Sequence, residues 1–506
     1  MQVPSHRVGT ISRRNLLQSL IGVGLAAGAL PLLAACGGGQ AAATITSPVS
    51  ASTVATVAAQ SRGAVTAAPA STASTAASRP SSTTASVVAT QSAPATAKGG
   101  RTIVWSFWAV SQEQANNTVA RVKDFNLTHP DIKVQALFVQ NGDYRAKIIS
   151  LISGGTPPQL TQVDAYDMPY FVQQRIVQRL DATIKNDKSF NLDDFLPGAF
   201  LEDHQVFNGA YYAIPNGPES PRVLFYNKTK WQNAGLALPN DLEAQGKWTW
   251  DAFLEAATKV TTGVSPNRSY GFSAQLGFQP EPHTWIYSNG GKSLSDDRKS
   301  FIGNVPETAE ALQFQTDLIL KNNVAPRPGD NLGTGDSFLS GRMAMVEDGA
   351  WRAATLFTRP EFDYGVAPLP ASPKGVRKTV VKPNALTIPV GVTGQPAADA
   401  YELAKFITGP VYQKALIDVG QAITNLKSLV DYFVQKSPIR DAHVFMDAYS
   451  KGEVLPIPLI PQWQDYSKIY SGEFNKVRAG TATVADALSA IKTQTDALLA
   501  SQTRTA

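Results

Sequence analysis

Residues 101–506 of this 506-residue chain predict an α/β protein built as two or more lobes. Three observations carry that expectation. From Arg101 onward, apolar β-branched runs alternate with stretches of helical spacing, the pattern of a mostly parallel sheet. A body of this length outgrows a single hydrophobic core and divides. The first hundred residues contain no Asp or Glu and consist largely of Ala, Ser, Thr, Val and Gly, which sets them apart from the fold.

The body opens with Thr102-Ile103-Val104-Trp105-Ser106-Phe107-Trp108, an apolar and aromatic run that reads as a strand. Val119, Val122, Phe125 and Leu127 follow at helical spacing. Pro130 then punctuates before a second strand from Ile132 to Val139. Tyr144, Ile148, Ile149 and Ile152 give a second helix, Gly154-Gly155 ends it, and a third strand runs from Leu160 to Val163. Ligands of such sheets sit beyond the carboxyl ends of the strands, which places Trp108 and Asp164-Ala165-Tyr166 where a site is expected. Much later, a strand at Ala385–Pro389 precedes an amphipathic helix over Ala398–Gly409, carried by Ala400, Leu403, Ala404, Phe406 and Ile407.

The first 36 residues read as an export signal. Arg7, Arg13 and Arg14 form a basic region, Leu16 to about Leu33 an apolar one, and small residues lead to Cys36, the only cysteine of the chain. Ser12-Arg13-Arg14-Asn15-Leu16-Leu17 resembles the twin-arginine export motif, and Leu33-Ala34-Ala35-Cys36 resembles the lipobox of bacterial lipoproteins. That resemblance implies cleavage before Cys36 and a lipid on its sulfur, which places the protein in the cell envelope on the outer face of the cytoplasmic membrane. A retained membrane span is the other reading of a run this long. Residues 37–100 contain no aromatic side chain and cannot bury enough apolar surface to offset the entropy of ordering. They are expected to be a disordered tether with a reach of about 45 Å.

The formal charge of +5 misleads, because six of the 45 Lys and Arg residues lie before residue 101. The body holds 39 basic and 40 acidic residues, a net charge of −1. The clustered cations that bind nucleic acid are therefore not expected.

Blocks along the body match one family in that family's order. Phe125-Asn126-Leu127-Thr128-His129-Pro130-Asp131-Ile132-Lys133-Val134 resembles a signature of extracellular solute-binding proteins of the sugar-transporter type, the maltose-binding-protein-like family. Ser153 to Pro158, Tyr212 to Pro215, Leu224 to Lys228, Ala234 to Leu236 and Trp248 to Phe253 resemble its further blocks. Ser288-Asn289-Gly290-Gly291, Phe338 to Met345 and Gly349-Ala350-Trp351 continue the series. The departures are Gln159, where the family usually has an acid, and Lys382-Pro383-Asn384-Ala385, where it usually has a glycine-rich cleft loop.

The resemblance implies a two-lobed periplasmic-binding-protein type II fold (Venus-flytrap), each lobe a mixed sheet flanked by helices, closing on a ligand like a hinged clamp. Mapped by motif order, the N-terminal lobe takes 101–220 and 385–430, and the C-terminal lobe takes 221–384 and 431–506. The implied function is that of a substrate-binding lipoprotein of an ABC importer. It captures a carbohydrate and delivers it to membrane permease subunits, as a monomer without cofactor or metal.

A sugar presents C–H faces that pack on aromatic rings and hydroxyls that need donors and acceptors. Trp351, Trp285 and Trp108 are the leading platform candidates, with Tyr166 and Trp463 on other element ends, while Trp105, Tyr226, Trp248 and Trp250 sit in blocks that read as structural. Asp164, Glu219, Asn289, Gly349 and Asn384 are the other ligand-binding candidates, with helix capping the competing role for Asp164. Arg222 or Arg342 would serve an acidic ligand, since glycerol-phosphate binders belong to the same family.

The alternatives are a surface glycoside hydrolase and a carbohydrate-binding adhesin. The five histidines are scattered, and neither a His-Glu-x-x-His nor a Gly-x-Ser-x-Gly motif is present. No catalytic residue is expected.

Overall fold

The computed structural model describes residues 87–88, 100–109, 112–274, 276, 281–330, 332, 334–357 and 359–502. The export signal, Cys36 and most of the tether lie outside these residues. Within the tether, Val87–Val88 forms a two-residue strand on the edge of the first sheet.

The chain lays down β1 (Arg101–Ala109), β2 (Ile132–Gln140), α1 (Asn141–Ser153), β3 (Leu160–Val163) and β4 (Ile214–Pro215) in the first lobe. It crosses over residues 216–222 to β5 (Val223–Asn227), α2 (Trp250–Val260), β6 (Tyr270–Phe272), α3 (Glu281–Ser288) and α4 (Pro306–Leu320). The second lobe continues with β7 (Met343–Asp348), α5 (Trp351–Leu356), β8 (Tyr364–Ala367) and β9 (Thr379–Val381). Residues 382–384 return the chain to β10 (Ala385–Thr387) and α6 (Gly394–Thr408) of the first lobe. A last crossing leads to α7 (Val430–Lys436), α8 (His443–Ser450), β11 (Val454–Pro456), α9 (Trp463–Arg478) and α10 (Val484–Gln502).

Both main sheets are mixed. In the first, β2, β1, β3, β10 and β4 lie side by side; β1 runs parallel to β2 and β3, while β10 is antiparallel to β3 and β4. In the second the order is β8, β5, β7, β6, with β7 antiparallel to β5 and parallel to β6. β9 and β11 pair parallel in a separate ribbon. Such strands, buried on both faces, need helices on both sides.

The packing shows where those helices come from. One face of the first sheet packs Ile103, Trp105 and Phe107 against Ala400, Leu403 and Ile407 of α6, and the other packs Val139 and Val163 against Tyr144 and Ile148 of α1. One side of the second sheet carries an aromatic core in which Phe253, Phe272 and Trp285 join Tyr466, Tyr470 and Phe474 of α9. Its other side packs Phe225, Val346 and Val366 against Phe433 and Phe445. Ile417, Ile423, Leu426 and Leu429, read from the sequence with the first lobe, contribute to that same second-lobe core.

The three crossings are tied to one another. Asn216 N–H donates to Asn384 O at 2.8 Å, and Asn425 Nδ2 donates to Gly217 O at 3.1 Å. Buried Gln413 braces the third crossing: its Nε2 donates to Asn425 Oδ1, and its Oε1 accepts from Thr424 Oγ1 and Asn425 N–H. A fully satisfied buried network specifies one arrangement, which suits a hinge that must return to the same geometry.

Candidate solute-binding cleft

The carboxyl ends of β1 and β3 carry Trp108 and Asp164. Asp164 caps the short turn Ala165–Asp167, accepting from Tyr166 N–H at 3.1 Å, so the capping role is real. The same carboxylate stands 3.6 Å from Lys382 Nζ. Lys382 lies 4.8 Å from the Tyr166 ring centroid and 3.5 Å from Asn384 Oδ1, which also accepts from Ala165 N–H. β10 lies beside β3 in the sheet, and that pairing brings Lys382 and Asn384 to Asp164.

Glu219 sits on the first crossing, half-buried. Burial pushes its carboxyl above its ordinary range, Lys382 and Arg222 pull it down in part, and Asp164 adds to the push. Tyr449 OH donates to Glu219 O at 3.0 Å and fixes the segment to α8.

Across the crossing, β7 ends in Asp348 and turns through Gly349 and Ala350 into α5. Ala350 N–H donates to Ser220 Oγ at 2.9 Å, tying this turn to the crossing strand. Trp351 follows, 41 % exposed, with the Arg222 guanidinium 4.6 Å from its ring centroid. Gly349 leaves room for the ring: a Cβ on it would stand 2.2 Å from the Trp351 ring, so the ring keeps this position only beside glycine. Arg222 lies 4.0 Å from Asp348, and Arg352 Nε donates to the other oxygen of Asp348 at 2.7 Å.

A cavity of about 220 Å³ opens on the first-lobe side, walled by Trp108, Tyr144 and Tyr166 and edged by Asp164, Asp167 and Gln464. Tyr144 OH and Ser106 Oγ lie 3.0 Å apart behind Trp108, whose ring meets Tyr144 edge-on at 5.2 Å. Gln464 belongs to α9 and so to the second lobe. Beside it, Trp463 is 3 % exposed and stacks on Tyr166, centroids 4.7 Å apart and planes 6° apart.

The structure therefore gathers Trp108, Asp164, Tyr166, Glu219, Gly349, Trp351 and Asn384 around the junction of the lobes. Trp463 reaches the same place as the stacking partner of Tyr166. Trp285 and Asn289 do not join them. Trp285 lies within α3, 3 % exposed, against Trp250, Phe253 and Phe314, with Nε1 donating to Glu347 Oε2 at 2.7 Å. Buried Asn289 donates to Glu307 O and Glu310 Oε2, pinning the end of α3 to α4. Arg342 is spent on the carbonyls of Arg268 and Pro266. Among the described residues, no group of three His, Cys, Asp or Glu is placed to hold a metal.

Sequence reading passed over Arg145, Asp167 and Gln464 and weighed Lys382 only as part of a loop. The spacing Asp164-x-x-Asp167 after a strand was the one local signal, since it puts two carboxylates on a single turn.

Residues 109–414 match the family model of the bacterial extracellular solute-binding proteins. The chain belongs to that family. Its members bind and release solutes without bond chemistry, so this solute-binding protein is not an enzyme. It is 24 % identical over 391 residues to a binding protein of Brucella abortus (strain 2308), covering 74 % of this chain and 88 % of the relative. A lipoprotein of Streptomyces antibioticus is 23 % identical over 423 residues, covering 79 % and 87 %. Among solved structures, an ABC substrate-binding protein from Listeria monocytogenes in complex with cycloalternan superposes with a TM-score of 0.70 at 23 % identity, covering 79 % of this chain and 99 % of that one. A cyclic alpha-maltosyl-1,6-maltose binding protein from Arthrobacter globiformis gives 0.65 at 22 %, with 79 % and 99 % covered. These likenesses fix the type II fold of the solute-binding protein.

Proposed function

We propose that this solute-binding protein is the lipid-anchored receptor of an ATP-driven importer, capturing a neutral carbohydrate between its lobes and passing it to membrane permease subunits. The exposed Trp351 ring, facing a junction whose charges cancel, carries this reading. Asp164 faces Lys382, Asp167 faces Arg145, and Asp348 holds Arg352 and Arg222, with half-buried Glu219 near Lys382 and Arg222. Four carboxylates offset four cations. Among the described residues of this junction an anionic ligand would meet only cations already facing a carboxylate, whereas a polyol meets acceptors, amides and an apolar ring.

The ligands named for its structural relatives include the saccharides cycloalternan, maltose and acarbose and the sugar alcohol ribitol, all neutral or sugar-like polyols that support the same class. The lipobox before Cys36 and the Streptomyces lipoprotein relative support the anchor, and the paired arginines support twin-arginine export. The tether would let a monomeric trap sample the permease surface.

Thermal unfolding of the full chain, with Cys36→Ser to keep it in solution, tests the ligand class. Glucose, maltose, maltotriose and ribitol are compared with glycerol 3-phosphate. A neutral sugar at about 100 times its Kd is expected to stabilise by about 2.7 kcal/mol. Stabilisation by glycerol 3-phosphate alone would overturn the neutral-ligand assignment.

A further inference from the structure

One carboxylate in the first-lobe cavity has a divided role. Arg145 Nε donates to Asp167 Oδ1 at 2.8 Å, and Gln464 Nε2 donates to that same oxygen at 3.1 Å. Among the described residues Oδ2 accepts no hydrogen bond, although the side chain is only 10 % exposed and lines the cavity. A carboxylate clamped through one oxygen and open through the other is a preorganised acceptor. The two donors differ in origin: Arg145 is on α1 of the first lobe, Gln464 on α9 of the second.

The surroundings select what donates to that oxygen. Arg145 is held on Asp167 and lies 4.9 Å from the Tyr170 ring centroid, so it is committed. Burial pushes the Asp167 carboxyl up, Arg145 and Gln464 pull it down in part and Asp164 adds to the push, while the nearby cations Arg145 and Lys382 already face Asp167 and Asp164, so the mouth offers an anion little. The walls of Trp108, Tyr144 and Tyr166 offer apolar faces. A volume of about 220 Å³ falls below the roughly 300–1,000 Å³ of clefts that take drug-sized ligands, which limits the occupant to a single ring or the end of a chain.

We propose that this cavity seats one neutral sugar ring, hydrogen-bonded through a hydroxyl to Asp167 Oδ2, and that Gln464 orients the acceptor from the opposite lobe. The inference rests on the carbohydrate reading above and assigns the anchoring residue within it. Asp167 touches the ring. Gln464 acts through Asp167 and is a positioning residue, so closure of the lobes and alignment of the acceptor are one event.

Calorimetric titration of the full chain, Cys36→Ser, with glucose, maltose and maltotriose is the test. Asp167→Asn keeps the shape but turns a donor toward the cavity, and is expected to weaken the sugar that binds by about 10- to 100-fold. Gln464→Leu is expected to cost about 5-fold alone and nothing further when combined with Asp167→Asn, because it acts through that residue. On the wild-type chain, one of 2-deoxy-, 3-deoxy- or 6-deoxyglucose, or of the corresponding maltose analogues, is expected to lose the same factor as Asp167→Asn, and that analogue is expected to bind wild type and variant alike. The deoxy series on wild-type protein decides the matter if Asp167→Asn fails to fold. If a sugar binds and no deoxy analogue is weakened, or the folded Asp167→Asn binds within twofold of wild type, this inference falls and the carbohydrate reading stands. If none of the three sugars binds the wild-type chain, both fall.

Discussion

Replacing Trp285 by Ala is expected to lower the free energy of unfolding by on the order of 5 kcal/mol while leaving the cleft chemistry in place. Truncating a buried Trp costs about 3–5 kcal/mol through lost burial and the cavity left behind. Here the indole is packed among Trp250, Phe253, Phe272 and Phe314. The substitution also takes the Nε1 donor from Glu347, a buried carboxylate whose loss of a partner costs roughly 1–3 kcal/mol more. Trp285→Phe keeps most of the packing and isolates the second contribution, so it should fall between. Urea unfolding of the three proteins measures the series. At temperatures where the variants remain folded, sugar affinity should be close to wild type. A large loss of affinity with unchanged stability would return Trp285 to the ligand.

The opposite signature is expected at Trp351. Its ring is exposed and packs on Arg222, so Trp351→Ala should cost stability only about 1 kcal/mol. Burying about 80 Å² of its face against a sugar is worth about 2 kcal/mol, or about 30-fold in Kd. Gly349→Ala tests the same platform without removing it. The added Cβ would stand 2.2 Å from the ring, so the ring must swing off its position over the guanidinium. Gly349 lies outside the left-handed region, so the backbone tolerates alanine. Both variants should therefore lose affinity by a similar factor at nearly unchanged melting temperature, as read by calorimetric titration. If Gly349→Ala melted far lower, the close approach would be a packing requirement of the lobe instead.

These two tryptophans show what the sequence disclosed and what it withheld. The strand and helix alternation from Arg101 to Val163 was legible because each element announces itself by a local apolar period: the structure reproduces the three strands within a residue, whereas the helical stretch read from Val119 to Leu127 is two helices, Gln112–Arg121 and Lys123–Thr128, and the one read from Tyr144 begins at Asn141. Whether an aromatic side chain faces solvent or core is not local. Trp351 and Trp285 both stand near glycine-containing blocks, yet one opens a helix at the lobe junction and the other lies inside one packed beneath α4.

Charge pairing was hidden for a related reason. Lys382 meets Asp164 only because the late strand β10 inserts beside β3, an event written in sheet topology. Asp167 was nearer to view, since it shares a turn with Asp164. Its donor Gln464 comes from the far end of the chain and could be found only by folding it. The assignment of residues 417–429 was obscure too: their apolar side chains mark a buried face without naming the sheet that buries it.

Closure on the ligand is the central claim. Spin labels on Leu127→Cys in the first lobe and Val264→Cys in the second, both strongly exposed in the native chain, would report the separation of the lobes once Cys36 is replaced by Ser. The account predicts that saturating the protein with a sugar that binds shifts the label-to-label distance distribution and narrows it, as a hinged clamp settles into one closed state. A distribution unchanged by a sugar shown to be bound in the same sample would contradict it.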